Sequence, residues 1–253
     1  MAHVDSIDIK GEVNIGLMIY ANDKFALVPR ITDEKTIKII TDILQVPCYK
    51  VSIAGTPLVG VFLNGTSKKI LVPEIIFDKE LKELEAIGKE HGVEFLKFES
   101  ELTCLGNNML ISDEKALLNP DYTEEEVKRV EKLLGVKAQT TMIAEIEIVG
   151  AAAIINYDKK KALVHREASD KDIKLIEKTF EVEVETGSIN MGSPYIKSGI
   201  VCNKNGFLAG LESGGPEINN ADQALGFIEF WDDKNEYSKY NDQKVKLFVF
   251  IEF

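Results

Sequence analysis

Apolar residues run along the chain in short blocks, and the blocks return at a fixed interval. A polar turn leads each time into an apolar stretch: Asn22-Asp23-Lys24 into Leu27-Val28-Pro29, then Thr66-Ser67-Lys68 into Leu71-Val72-Pro73. Ser112-Asp113-Glu114 leads to Leu117-Leu118-Asn119-Pro120, Asp158-Lys159-Lys160 to Leu163-Val164-His165, and Lys204-Asn205-Gly206 to Phe207-Leu208-Ala209. The spacings between Leu27, Leu71, Leu117, Leu163 and Leu208 are 44, 46, 46 and 45 residues. A period of this size marks one supersecondary unit used repeatedly. The units fall at about 14–57, 58–101, 102–145, 146–190 and 191–228, leaving 1–13 at the start and 229–253 at the end.

Every unit follows the same order of elements. A glycine-led apolar strand is expected first, at Ile15-Gly16, Val59-Gly60, Leu105-Gly106, Val149-Gly150 and, less cleanly, Ser198-Gly199. A polar turn and a second strand follow, bounded by turn residues. Apolar residues at helical spacing then predict a helix: Ile37/Ile40/Leu44, Leu81/Leu84/Ile87, Val127/Val130/Leu134, Ile173/Ile176/Phe180 and Ile218/Ala221/Leu225. Thr123-x-x-Glu126 is a capping box and Ser169-x-x-Asp172 a shorter-armed version, while Gly88 and Gly135 suit helix ends. A third strand is expected after four of the helices, near 46–53, 93–99, 136–143 and 182–189.

No β-β-α-β unit of this length can bury both faces of its sheet, so five are expected to close around an axis as propeller blades do. Small residues would recur where backbones converge on that axis. The fifth helix has no third strand behind it. Ser6-Ile7-Asp8-Ile9-Lys10, with Ile7 and Ile9 alternating with polar neighbours, can supply one from the N-terminus.

Composition narrows the function. At 45% apolar and 28% charged, the 253-residue chain can bury a core without disulfides or metals. Forty-two acids against thirty bases give a net charge of −12. That disfavours DNA or bare RNA as the main partner but suits basic proteins. No apolar stretch approaches a membrane span, and the start lacks a signal-peptide pattern. Three cysteines, Cys48, Cys104 and Cys202, form no CxxC, which fits a reducing cytoplasm.

Val51-Ser52-Ile53-Ala54-Gly55, Leu58-Val59-Gly60, Ile70-Leu71-Val72-Pro73 and Leu105-Gly106-Asn107 resemble the archaeal and eukaryotic translation initiation factor 6 family. So do Ala162-Leu163-Val164-His165, Gly187-Ser188-Ile189-Asn190-Met191-Gly192-Ser193 and Gly215-Pro216-Glu217, in order through all five units. The resemblance implies a pentein, an α/β (α+β) propeller of five pseudo-symmetric β-β-α-β repeats closed into a ring, with residues 1–228 as one domain and 229–253 as an extension. It implies a factor that binds the large ribosomal subunit and sterically blocks the small subunit, with a role in large-subunit maturation in eukaryotic relatives. The implied contacts are ribosomal proteins and rRNA near the sarcin–ricin loop, and the implied state is a cytoplasmic monomer without cofactor, metal or catalytic residues.

Carried over by motif, the binding surface comprises loops at one end of the ring: Gly16, Gly60, Asn64, Gly106, Asn107, Asn108, Gly150, Asn190, Gly192 and Ser193. Asn107 is favoured because an amide both donates and accepts. The glycines can equally serve close packing, and Asn107 and Asn108 a turn. Val61 after Gly60 and Arg166 after His165 depart from the family pattern. The Glu124-Glu125-Glu126 run reads as a solvated helix start and Lys159-Lys160-Lys161 as a hairpin tip.

Two alternatives stand beside this reading. One is an acidic protein-binding scaffold. The other is a guanidine-modifying pentein enzyme, in which Cys202 and His165, in neighbouring units, would approach as nucleophile and acid. No acid pair follows those enzymes' spacing, and their loop insertions are missing. His3, His91 and His165 have no metal-ligand spacing, and a phosphate-binding loop and a dinucleotide turn are both lacking. At the far end, residues 245–253 are dense in β-branched and aromatic side chains and are expected to pair with an edge strand.

Overall fold

The computed structural model describes residues 2–228. Five three-stranded sheets stand around one axis, each built the same way. After β1 (Val4–Ile7), the first unit holds α1 (Ile15–Met18), β2 (Tyr20–Ala21), β3 (Ala26–Pro29), α2 (Glu34–Leu44) and β4 (Cys48–Val51). The second holds α3 (Val59–Phe62), β5 (Asn64–Gly65), β6 (Lys69–Pro73), α4 (Asp78–His91) and β7 (Glu94–Phe98). The third holds α5 (Leu105–Asn108), β8 (Met109–Ile111), β9 (Lys115–Leu118), α6 (Glu124–Leu134) and β10 (Lys137–Thr140). The fourth holds α7 (Val149–Ala152), β11 (Ala153–Asn156), β12 (Lys161–His165), α8 (Asp170–Phe180) and β13 (Glu183–Gly187). The fifth holds α9 (Ile196–Gly199), β14 (Ile200–Asn203), β15 (Gly206–Gly210) and α10 (Gly215–Ala224).

Within each sheet the middle strand pairs antiparallel with its hairpin neighbour and parallel with the strand after the long helix, as in β11–β12–β13. In the fifth sheet that last place belongs to β1. It runs parallel to β15, with Val4 opposite Phe207 and Ile7 opposite Gly210. The pairing segment lies slightly upstream of the expected 6–10, and Ile9 instead bridges Glu12. His3 fastens the closure, its Nε2 2.9 Å from Asp222 Oδ1 and its ring stacked on Phe227.

The apolar core is divided among the seams between sheets. On α4, Leu84 and Ile87 pack with Leu27 and Val51 of the first sheet and with Ile70 and Phe95 of their own. On α8, Ile176 and Phe180 pack with Leu117 of the third sheet and Val164 of the fourth. Ile40 and Leu44 of α2 meet Leu208 and Ile7 of the fifth sheet. Each long helix thus covers the joint between its own blade and the preceding one. A single unit would leave that apolar stripe in water at about 25 cal/mol per Å², so the ring is the smallest arrangement that buries every stripe.

Three local expectations are corrected. The glycine-led segments are one-turn helices, not strands, and the strand begins just after each turn. In the fifth unit the place of the glycine is taken by Lys197, the second residue of α9, and not by Ser198-Gly199. Gly88 lies inside α4, where an added Cβ would meet Val93 O at 2.3 Å, and Gly92 at φ +64° is the residue that ends the helix. Gly135 ends α6 as expected. The strand expected at 245–253 lies outside the described residues.

Candidate functional site

The chain enters every long helix at the same end of the ring. Four of the five units prepare that end with a tight turn: Ile9 bridges Glu12, Ile53 bridges Thr56, Ile143 bridges Ile146 and Ile189 bridges Ser193. Left-handed residues make the turns possible, including Ala54, Ala144, Asn190 and Met191. In three of the four, an acid in the first turn of the neighbouring long helix holds the turn, while Asp8 accepts from Gly11 N in the first. Glu80 accepts from Ala54 N at 2.7 Å and Gly55 N at 2.9 Å. Asp172 accepts from Ala144 N at 3.3 Å, and Glu217 from Gly192 N at 2.8 Å and Met191 N at 3.1 Å. Asp172, read from the sequence as a capping acid, therefore has a second task that it shares with Glu80 and Glu217, which is to fix the loops of this end.

Two carboxyls at helix starts of this end, Glu217 and Glu126, have shifted acidities. Partial burial pushes Glu217 up, yet hydrogen bonds from Gly214, Gly192, Ser188 and Met191 outweigh it and leave its pKa below the ordinary 4.5. At Glu126, burial is likewise outweighed by bonds from Ser100 and Thr123. A depressed carboxyl adds stability above its ordinary pKa, and that stability disappears as pH falls through the lower folded value. Acid titration of the wild type should therefore show melting temperature falling below pH 4.5, more steeply than in Glu217→Gln. Equal slopes would remove Glu217 from the acid response.

The same end carries the exposed apolar side chains. Eight large apolar residues among the described ones are exposed, and seven lie here: Ile31, Ile75, Leu211, Phe77, Met142, Tyr195 and Met191. Met191, at 81%, is the most exposed of them. Around them stand the acidic helix starts, with Glu34, Asp78, Glu124, Glu125 and Asp170 in first turns. The result is an apolar end within a charged rim, where Glu34, Asp78, Glu124 and Glu125 pair with Lys50, Lys97, Lys128 and Arg129.

The residues singled out from the sequence divide into two groups. Gly16, Gly60, Gly106 and Gly150 are buried where the short helices converge, and Gly60 would place a Cβ 2.1 Å from Gly16 O. Asn64 donates to Met109 O at 2.6 Å and is buried. Asn108, also buried, donates to Cys104 O and accepts from Asn119 Nδ2 at 2.8 Å. These six are buried inside the ring. Asn107, Asn190, Gly192 and Ser193 are half-buried on the apolar end. Asn190 is partly committed, since its Nδ2 donates to Val13 O at 3.0 Å and its Oδ1 accepts from Ser213 Oγ. Ile31, Phe77, Met142 and Met191 were not singled out at all.

Cys202 and His165 do not form a reacting pair. Cys202 lies in β14 opposite Phe207, its thiol pushed well above the usual range by burial, and donates weakly to Asn203 O. His165 ends β12 at the apolar end of the ring, where its Nδ1 accepts from Glu167 N and its ring meets Tyr195 edge-on. Among the described residues no group of three or more His, Cys, Asp or Glu could hold a metal, and no helix is long and apolar enough to cross a membrane.

These features define the class: a β/α propeller of five pseudo-symmetric units, the pentein architecture, closed by its own N-terminus. The model of the eIF-6 family matches residues 4–224, and the chain belongs to that family of translation initiation factors. Translation initiation factor 6 of Pyrococcus abyssi is 33% identical over 228 residues, 89% of this chain and 100% of the relative. Those of Pyrococcus furiosus and Saccharolobus solfataricus are 38% and 39% identical, over 89% and 88% of this chain and 100% and 99% of theirs. Among solved structures, a dimethylarginine dimethylaminohydrolase from Pseudomonas aeruginosa superposes with a TM-score of 0.47 at 10% identity, covering 68% of this chain and 67% of its own. That likeness is too slight to bear on chemistry.

Proposed function

We propose that this protein binds the large ribosomal subunit through the apolar end of its ring and so excludes the small subunit, with a second role in large-subunit maturation. The contacts are ribosomal proteins and rRNA near the sarcin–ricin loop. The factor works as a cytoplasmic monomer, with residues 1–228 as the docking domain and no chemical step. One observation carries the choice of face: seven of the eight exposed large apolar side chains gather at one end, within a charged rim of helix starts. An apolar centre supplies short-range affinity. The net charge of −12 steers the chain toward basic ribosomal-protein tails and away from bare phosphate.

Co-sedimentation with purified large subunits tests this directly. Wild type should travel with free large subunits and lower the yield of joined ribosomes. Met191→Asp or Phe77→Asp should weaken binding by about tenfold or more, and Asn107→Ala by less. All three should melt close to wild type, because exposed positions usually shift stability by about 0.5 kcal/mol or less. Unchanged binding by all three variants would mean another face is used. A wild type that never travels with the large subunit would end the proposal.

A further inference from the structure

At the opposite end of the axis the five hairpins surround a cavity of about 480 Å³ that opens between their tips. Its floor is the ring of short helices, and Lys197 stands in it. Four units place glycine at this position and the fifth places lysine. The Lys197 ammonium donates to Gly106 O across the ring at 2.8 Å, and among the described residues it has no carboxylate within salt-bridge distance. Two of its three protons are therefore left for something else. It is half-buried on the cavity floor, and desolvation pulls its pKa down to about 8, so it remains mostly charged at neutral pH.

A second polar group, on the β2–β3 hairpin, is also unsatisfied but lies beneath the surface of the cavity wall. Asn22 Oδ1 accepts from Lys24 N and Phe25 N, while its buried Nδ2, beside Tyr20, lacks an acceptor of good geometry. In the fourth and fifth units the asparagines at the corresponding hairpins spend that amide on a neighbouring helix end, Asn156 on Leu225 O and Asn203 on Leu44 O. Around Lys197 the walls are largely apolar, formed by residues such as Leu110, Ile154 and Ile111. Of the acids in the lining, Asp113 accepts from Ser67 N and Oγ, Asp23 accepts from Lys204 N, Glu181 lies 3.8 Å from Lys115 Nζ, Asp158 lies 3.7 Å from Lys159 Nζ, and Glu114 stands at the rim.

We propose that this central cavity is a binding site for a small organic anion with an apolar body, its anionic group on Lys197 Nζ and its body between the hairpins. The volume lies in the range of small-molecule sites, and a few donors in an apolar surround is their usual composition. A half-buried ammonium repels cationic ligands, and the charge-assisted bond it offers rewards an anion over its neutral isostere. The site faces away from the apolar end, so it is independent of the docking proposed above.

Benzoate and octanoate are suitable probes, titrated calorimetrically into the full chain at neutral pH with benzamide as the uncharged comparison. Wild type should bind benzoate or octanoate at millimolar concentration or below, and benzamide more weakly. Lys197→Gln and Lys197→Gly, the latter installing the residue of the other four units, should each lose about tenfold or more in anion affinity, as expected for one charge-assisted hydrogen bond. Lys204→Gln at the mouth should bind as wild type does. Far-ultraviolet circular dichroism confirms that each variant is folded before titration. Neither anion binding to wild type at millimolar concentration, or equal binding by a folded Lys197→Gln variant, overturns the proposal. A benzamide affinity equal to that of benzoate overturns it as well.

Discussion

Gly60→Val should destabilise the ring by about 3 kcal/mol or more, beyond the ordinary cost of overpacking a core. A Cβ on Gly60 would lie 2.1 Å from Gly16 O and 2.5 Å from Ile19 O, both backbone atoms that no rotamer change can move. The same contact is handed on around the axis. A Cβ on Gly106 would lie 2.1 Å from Gly60 O, and one on Gly150 would lie 2.4 Å from Gly106 O. Displacing one short helix to admit a side chain therefore presses on the next. Gly215→Ala is the control, since an added Cβ there meets nothing within 4 Å. Thermal melts should separate the two variants by many degrees. If Gly60→Val and Gly215→Ala melt together, the short helices can spread and the close approach is not a structural requirement.

Lys197 shows how such a ring can carry a side chain at one of five junctions. Its own carbonyl still closes on Gly16, whose Cβ would lie 1.8 Å away. Its side chain leaves the ring into the cavity, where there is room. Glycine at the other four places and lysine at this one are thus answers to the same geometry with different space beyond it.

The blade pattern could be read in the sequence because its signal is long and repeated. The outer helices show their apolar stripe at Ile40 and Leu44, Leu84 and Ile87, or Val130 and Leu134, and all of these are buried. Closure by the N-terminus followed from counting strands. The one-turn helices were not readable. Four residues such as Val59–Phe62 are apolar on every side, and so short a run fits a strand as well as a helical turn. Gly88 misled because a glycine near the end of an apolar stripe resembles a cap, while here it admits Val93 and Phe95 against α4.

The candidate surface was only half legible for a related reason. Polar residues and glycines in loops attract attention as contacts, yet Asn64 and Asn108 are spent on backbone carbonyls inside the ring. Ile31, Phe77 and Met142 belong to the apolar pattern and pass for core. Their exposure depends on where each seam ends, which period alone does not determine. Met191 was the readable exception. A large apolar residue between Asn190 and Gly192, in a stretch of turn formers, has little prospect of burial.

Glu80→Ala should be the second costly substitution, at about 3 kcal/mol, because it removes one acceptor from several backbone donors at once. The carboxylate is 6% exposed and receives Ala54 N, Gly55 N and Phe77 N, the last at 3.2 Å. Without it, donors in a left-handed turn at Ala54, φ +51°, lose their partner where few waters can replace it. The turn then has less reason to hold a conformation that a side-chain-bearing residue ordinarily avoids. Glu80→Gln keeps one acceptor oxygen and should recover part of the loss. Hydrogen exchange separates a local from a general effect: Ala54 and Gly55 amides should exchange much faster in Glu80→Ala, while the inner-strand amides of β12, far round the ring, slow or quicken only with overall stability. The corresponding change at Glu217 should free Met191 N and Gly192 N, loosening the loop that carries the most exposed apolar side chain. Wild-type exchange at Ala54 and Gly55 in a Glu80→Ala protein would show that the turns hold themselves and that the acid only caps its helix.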